Sequence, residues 1–348
     1  MKKNILILFG GQSGEHEVSL KSAASVIAHL DRQKYNLMPL CISKTGQWLN
    51  VEESIKYLTA STDIKSACFD IKACQDFDIS KSLIAPRNQK SQNAKIDVVF
   101  PVLHGPYGED GTVQGFLELW GVPFVGSDTL SSALAMDKAM AKKIFQAEKI
   151  PTAKYRIVNK DNLTQILPKI NLPSVVKPVN LGSSVGVAIV KQKKDLLPAL
   201  KSALKIDRKG EALVEKFITG LELTVPILGD QALPVIEIKP KRKGDWFDYK
   251  VKYDPNLVDE LTPAPSLSKA QTKKAQKLAL RAHQALKCRH ISRVDMILAD
   301  DGKFYVLEVN TIPGLTAASL LPKSAQAAGL SFGQLLDRLI KVALSDKL

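Results

Sequence analysis

Apolar residues fall along the chain in short blocks whose spacing changes character partway. Residues 4–9 (NILILF), 37–42 and 96–103 (IDVVFPVL) are strand-length apolar runs of the kind covered on both faces of a sheet. After the first run, Leu20, Ala23, Ala24, Ile27 and Leu30 give an apolar stripe to a helix beginning near Glu15. Val113, Phe116, Leu117 and Trp120 do the same over 111–120, whereas 51–95 is polar and irregular. This alternation predicts a small parallel sheet with helices on both faces. A strand at 122–125 (VPFV) and one long helix over 127–149, ended before Pro151, follow, with Lys138 in mid-helix. Strands then come at 154–158, 174–179, 187–190, 212–218, 222–228 and 233–239, with helices at 161–169 and 194–206. Residues 241–263 read as one long loop rich in lysine and aromatics, the signature of a lid. Helices over 266–287 and 331–344 flank the last strand pair.

That pair, 292–310 (SRVDMILADDGKFYVLEVN), carries the strongest pattern. Asp301-Gly302 is the dipeptide of a two-residue hairpin turn, which sets Asp300 opposite Lys303, Asp295 opposite Glu308 and Arg293 opposite Asn310. Alternation puts Arg293, Asp295, Glu308 and Asn310 on one face. Val294, Met296, Leu298, Tyr305, Leu307 and Val309 form a core face. Opposed carboxylates, roughly 5 Å apart at Cβ, repel unless a cation sits between them. Two carboxylates and an amide suit Mg²⁺ or Mn²⁺, which favour hard oxygen ligands and substrate phosphates. The competing reading is a solvated hairpin face neutralised by Arg293; the clustering of four polar groups favours the metal site.

Composition narrows the picture. At 348 residues the chain accommodates two or three domains, and no apolar run is long enough to span a membrane. MKKNILILFGG is too short in its apolar part for a secretory leader and reads as a first strand. Cys41, Cys68, Cys74 and Cys288 lack metal spacing and read as reduced thiols of a cytoplasmic protein. The net charge of +14 is spread over 191–194, 239–243 and 269–289 without aromatic interleaving, so a nucleic-acid partner is not expected. A basic surface that attracts anionic nucleotide accounts for it.

Four loops carry further chemistry. GGQSG (10–14) lacks the spaced glycines of a dinucleotide fingerprint, but sets Glu15 at a helix N-terminus above the strand ends. Glu15 there serves either the helix dipole or a ligand. HGPYGEDG (104–111) holds His104 at a strand end, for which a structural role and a ligand role both stand. NLGSSVGV (180–187) is either a plain hairpin turn or a phosphate cradle served by Lys177. In ALVEKFITGLEL, Glu215 and Glu222 bracket a strand end that is either solvated or the wall of an adenine-sized slot.

Taken together and in order, LFGGQSGEHEVSL, HGPYGEDG, MDK, VVKPVNLGSSVG, EKFITGLE, FDYKVKY, SRVD and LEVNTIPGLTAASL resemble the D-alanine–D-alanine ligases of the ATP-grasp superfamily over nearly the whole length. The resemblance implies an α/β fold, α+β in parts, in three domains: a parallel-sheet domain over 1–125, a central ATP-grasp subdomain over 126–213 and a C-terminal one over 214–348. It implies ATP held by Lys138, Lys177, Glu215, Lys216, Phe217, Ile218, Glu222, Trp246 and Lys252, with two Mg²⁺ or Mn²⁺ on Asp295, Glu308 and Asn310. Two D-alanine molecules are the implied substrates. Glu15 takes the ammonium of the first, Ser319 and Leu320 the carboxylate of the second, with His104 nearby. Arg293 and the Gly314 backbone stabilise the oxyanion, and Ser183 and Tyr253 join Glu15 in a bridge closing the lid. A homodimer, with neither nucleic acid nor membrane as partner, completes the expectation. Two departures stand out: Asn180-Leu181 replaces a charged pair, and Phe217 stands where Trp is common. A D-alanine–D-lactate ligase is an alternative on the same scaffold, against which Lys252-Tyr253 argues; a basic nucleotide- or nucleic-acid-binding protein without catalysis is another, against which the intact Arg293, Asp295, Glu308 and Asn310 speak.

Overall fold

The computed structural model describes residues 2–65, 69, 96–241 and 257–346. Two compact units emerge: Met1–Ser132 with Cys288–Ser292 and Thr311–Leu348, and Ala133–Lys287 with Arg293–Asn310. Trp246, Lys252 and Tyr253 lie outside the described residues.

The first unit is built on β1 (Lys3–Gly10), α1 (His16–His29), β2 (Tyr35–Ile42), α2 (Val51–Ser61), β3 (Val98–Pro101) and α3 (Thr112–Trp120). The strands form a parallel sheet in the order β2-β1-β3, and Ile5 to Phe9 in its centre are fully buried. Residues 122–125 contribute only a parallel bridge, Val99 to Phe124, where a strand was expected. Helix α2 falls in the stretch that looked irregular. Asn50 and Glu53 form a reciprocal capping box, and Val51, Ile55 and Leu58 are buried at helical spacing, a signal the polar surroundings mask.

The expected helix over 127–149 is two helices, α4 (Thr129–Met136) and α5 (Lys138–Ala147). Asp137 breaks it: its carboxylate accepts the Met140 N–H at 3.0 Å, while the Lys138 N–H bonds to the Val179 carbonyl at 3.2 Å. Lys138 therefore opens a helix rather than sitting in the middle of one.

In the second unit, β4 (Tyr155–Val158), α6 (Leu163–Ile166), β5 (Ser174–Pro178), β6 (Ala188–Val190), α7 (Lys193–Ile206) and β7 (Ala212–Lys216) follow. The strands make an antiparallel sheet in the order β4-β7-β5-β6. Val158, Val176, Val190, Ala212 and Val214 pack with Leu196, Leu200 and Ala203 of α7. Leu213 and Val179, of the opposite parity, pack with Ala139 of α5. Lys177 and Glu215 share that second parity and so lie on the α5 face.

A larger sheet holds β8 (Gly220–Leu228), β9 (Gln231–Ala232), β10 (Ile236–Pro240), β11 (Val258–Leu261), β12 (Ile291–Ala299) and β13 (Phe304–Asn310), ordered β11-β10-β8-β12-β13 with β9 on β8. Strand β11 lies within the expected 241–263 loop and pairs with β10. Helix α8 (Lys269–Ala285) buries Ala275, Leu278, Ala279 and Ala282. Returning to the first unit, α9 (Leu320–Ala327) and α10 (Phe332–Ser345) close the chain, α10 against α1 and β3.

Candidate functional site

The hairpin β12-β13 brings Arg293 opposite Asn310 and Asp295 opposite Glu308, as expected, but by a different route. The turn closes with the Ala299 N–H on the Lys303 carbonyl (2.8 Å), so three residues, not two, make the loop, with Gly302 at a φ of 76°. Leu307 is then an extra residue on β13, because Met296 pairs with Val306. This bulge restores the expected register only beyond it. It also reverses the faces of β13 on the turn side: Phe304 and Val306 are buried, whereas Tyr305 and Leu307, expected in the core, are only partly covered; Leu298, opposite Phe304, keeps the core face but is only partly covered near the hairpin end.

Asp295 accepts four hydrogen bonds from three side chains. Arg293 donates Nε to Oδ1 (2.8 Å) and Nη2 to Oδ2 (2.7 Å), Thr224 donates its hydroxyl to Oδ1 (2.5 Å), and Asn310 donates Nδ2 to Oδ2 (3.1 Å). Asn310 thereby keeps its amide oxygen turned from the carboxylate. Glu308 lies 3.6 Å from the Lys138 ammonium. Among the described residues no third carboxylate, thiol or imidazole joins the two acids. Two carboxylates and an amide oxygen on one face, partly open to solvent, fit a hard divalent cation; Arg293 and Lys138 balance their charge here.

Behind Lys138 lies a buried polar cluster. Lys177 Nζ is 2.5 Å from Glu215 Oε2, and Lys142, fully buried one helical turn after Lys138, is ion-paired to Glu215 Oε1. Burial raises the Glu215 carboxyl, yet Lys142 and Lys177 outweigh it and hold the group below the usual carboxylate range. Burial depresses Lys177, but Glu215 and Glu308 reverse that and keep its ammonium above the usual lysine range. Burial wins at Lys138 and at Lys142, which are both held low. Glu215 therefore faces lysines rather than solvent. Strand β7 stops at Lys216, whose N–H bonds to the Lys154 carbonyl, and the Phe217 N–H bonds to the Pro173 carbonyl. Ile218 lies beyond the strand end, and Glu222 stands opposite Ile238 in β8. In the loop between β5 and β6, Ser183 and Ser184 adopt left-handed φ of 50° and 57°, and Lys138 Nζ donates to the Leu181 carbonyl (2.6 Å). Lys142 was missed in the sequence; its spacing of four from Lys138 was the available signal.

In the first unit, Glu15 caps α1 without a side-chain capping bond, and its carboxylate lies against Gly105. His104 is buried, with Nε2 3.3 Å from the Ser22 hydroxyl and Nδ1 3.7 Å from Glu109. The two acids of the HGPYGEDG loop serve the loop itself: Glu109 accepts the Gly105 N–H (2.9 Å), and Asp110 those of Tyr107 (2.9 Å) and Thr112 (3.1 Å). Ser319 and Leu320 stand at the N-terminus of α9, where backbone N–H groups favour an anion. Gly314 packs against Ser319: a Cβ there would come 2.9 Å from the Ser319 hydroxyl.

The family model for the D-ala D-ala ligase N-terminus matches residues 4–127, and that for the C-terminus residues 144–341. The D-alanine–D-alanine ligase of Ruminiclostridium cellulolyticum is 40% identical, the alignment covering 98% of this chain and 95% of the relative. That of Halothermothrix orenii is 38% identical over 99% of each. Among solved structures, the VanG D-Ala:D-Ser ligase from Enterococcus faecalis superposes with a TM-score of 0.81 at 35% identity, over 99% of this chain and 100% of that one. The D-alanine–D-alanine ligase from Coxiella burnetii gives 0.78 at 31% identity, over 99% and 94%. The chain belongs to the D-alanine–D-alanine ligase family and has its ATP-grasp fold.

Proposed function

We propose that this protein joins two D-alanine molecules into D-alanyl-D-alanine, using ATP, for peptidoglycan precursor synthesis. Family membership supplies the reaction class. The observation that carries the assignment to residues is the 3.6 Å approach of Lys138 to Glu308, which sets a phosphate-binding ammonium beside a metal-binding carboxylate. A carboxylate is a poor acylating agent because its leaving group is oxide; phosphorylation makes an acyl phosphate, whose carbonyl the second amine attacks. Lys138 and Lys177 neutralise the phosphoryl oxygens in this reading. Asp295, Glu308 and Asn310 hold Mg²⁺ or Mn²⁺, which when bound adds charge neutralisation at the transferring group.

Glu15 binds the ammonium of the first D-alanine, and the amide end of α9, at Ser319 and Leu320, the carboxylate of the second. Arg293 uses two N–H groups to orient Asp295, and we assign others, with the Gly314 N–H, to the oxyanion. Glu215 to Ile218 and Glu222, with Trp246, remain assigned to adenine and ribose, Glu215 through its backbone because Lys142 and Lys177 occupy its carboxylate, and Lys252 to the γ-phosphate. Ser183 and Tyr253 with Glu15 close the site. The division at 125 and 213, two metal ions, a homodimer and a cytoplasmic location belong to the same proposal. Among the described residues, no helix is long and apolar enough to cross a membrane.

Phosphate release from ATP with D-alanine, and with D-serine or D-lactate as second acceptor, tests the reading. Release that requires D-alanine and yields the dipeptide is expected; preferential D-alanyl-D-lactate formation would move the assignment to the alternative ligase.

A further inference from the structure

Lys142 is assigned no ligand in the reading above, yet it is fully buried and makes two polar contacts. It lies one turn after Lys138 on α5, ion-paired to Glu215, and donates to the Thr152 hydroxyl at 2.5 Å. Thr152 in turn donates to the Val306 carbonyl at 2.8 Å, two residues before Glu308. Glu215 shares its second oxygen with Lys177. A buried carboxylate with a single cationic partner pairs fully with it, since no water competes. With two partners, neither lysine is fully neutralised.

We propose that Lys142 is a positioning residue for nucleotide binding: it takes up one oxygen of Glu215 so that Lys177 keeps charge for phosphate, and ties α5 through Thr152 to the metal-carboxylate strand. This rests on the ligase reading. Without Lys142, Glu215 turns wholly to Lys177 and withdraws it from the nucleotide. Without both Lys142 and Glu215, Lys177 is again available. The loss from removing Lys142 is therefore expected to reverse in part when Glu215 is neutralised, which lost packing alone cannot produce.

The test uses the full-length protein and Lys142→Met, Glu215→Gln and the double variant, with ATP binding measured by calorimetry and D-alanine KM by turnover. Lys142→Met is expected to weaken ATP about ten-fold or more, in the range of a truncated charge pair, with D-alanine KM changed less than about two-fold. The double variant is expected to bind ATP more tightly than Lys142→Met. Equal or weaker binding by the double overturns the proposal, as does unchanged ATP affinity in Lys142→Met. Thermal melting supplies an arm that needs neither turnover nor a folded Lys142→Met. The double variant must melt above Glu215→Gln, because it removes one of two lysines left facing each other; a lower melting temperature overturns the proposal. Wild-type protein that turns over no ATP with D-alanine defeats the ligase reading while leaving the melting arm intact.

Discussion

The second unit holds two charge clusters side by side that use the same chemistry at different depths. On the hairpin, Arg293 pairs with Asp295, and Glu308 opposite lies 3.6 Å from Lys138; the acids' side chains are 17% and 28% exposed. On the neighbouring sheet, Lys142 and Lys177 clasp one carboxylate, Glu215, and all three side chains are under 10% exposed. Lys138 stands between the two clusters and balances Glu308 on the hairpin. In the proposed reading, a bound cation would take over that balance and leave Lys138 for phosphate. Depth decides what each cluster does to the fold. Water screens the hairpin, so its charges are free to serve a ligand; the buried cluster depends on internal pairing for stability as well.

The largest effect expected from this contrast is on stability. Glu215→Gln leaves two buried ammonium groups uncompensated and is expected to cost about 3–5 kcal/mol, the range for breaking a buried pair from one side. Denaturant unfolding of the variant checks it; a cost below about 1 kcal/mol would place water in the cluster. The pH dependence follows from the depressed carboxyl. A group whose folded pKa lies below its ordinary 4.5 contributes stability that is complete above about pH 4.5 and is lost as pH falls through the folded value. Wild-type protein is therefore expected to lose stability on acidification below that point, and Glu215→Gln to lose less over the same range.

Function, not stability, is expected to fail on the hairpin. If Glu308 is a metal ligand as proposed, Glu308→Gln should lower turnover on the order of 100-fold or more, with melting nearly unchanged, because its carboxylate is then needed by the cation rather than by the core. Turnover unchanged at limiting Mg²⁺ argues against Glu308 as a ligand. Between the clusters, Lys138→Ala is expected to raise KM for ATP by about ten-fold or more and KM for D-alanine far less, in line with removing one partner of a buried charge contact. Steady-state kinetics with each substrate varied in turn separates these; the reverse ordering takes Lys138 out of the nucleotide site.

Much of this was legible in the sequence because strand parity and turn chemistry are local. The pairing of Asp295 with Glu308 came from counting outward from Asp301-Gly302, and it holds because the longer loop and the bulge at Leu307 offset each other. The core assignment, which needs every step of the count, failed on β13 at Tyr305 and Leu307 for the same reason. The break at Asp137 was hidden because a single acidic residue in an apolar stripe does not interrupt periodicity; a tertiary bond from Lys138 to Val179 makes the cap preferable. The spacing of four from Lys138 puts Lys142 on the same helix face, but its buried pairing with Glu215 is set by the sheet order β4-β7-β5-β6, which no local pattern encodes.

The smallest effect sharpens the comparison most, because it touches the hairpin from beneath. Thr224 on β8 is 2% exposed, and its hydroxyl donates to Asp295 Oδ1 at 2.5 Å, much closer than the Val294 carbonyl at 3.5 Å. Valine replaces that hydroxyl by a methyl of similar size, so packing is kept while Asp295 loses one of its donors. Arg293 still holds both oxygens, so the carboxylate stays in place but turns more freely. One hydrogen bond to a charged group is worth about 1.5 kcal/mol or somewhat more, and part of it is recovered by water at this half-open face. Thr224→Val is therefore expected to raise the Mg²⁺ concentration for half-maximal turnover by about five-fold, leaving KM for D-alanine alone. Thr224→Ser, which keeps the hydroxyl, should restore wild-type Mg²⁺ dependence despite the lost methyl. If serine behaves like valine, the effect belongs to packing under the sheet, and the hairpin's carboxylate is aimed by Arg293 and Asn310 without Thr224.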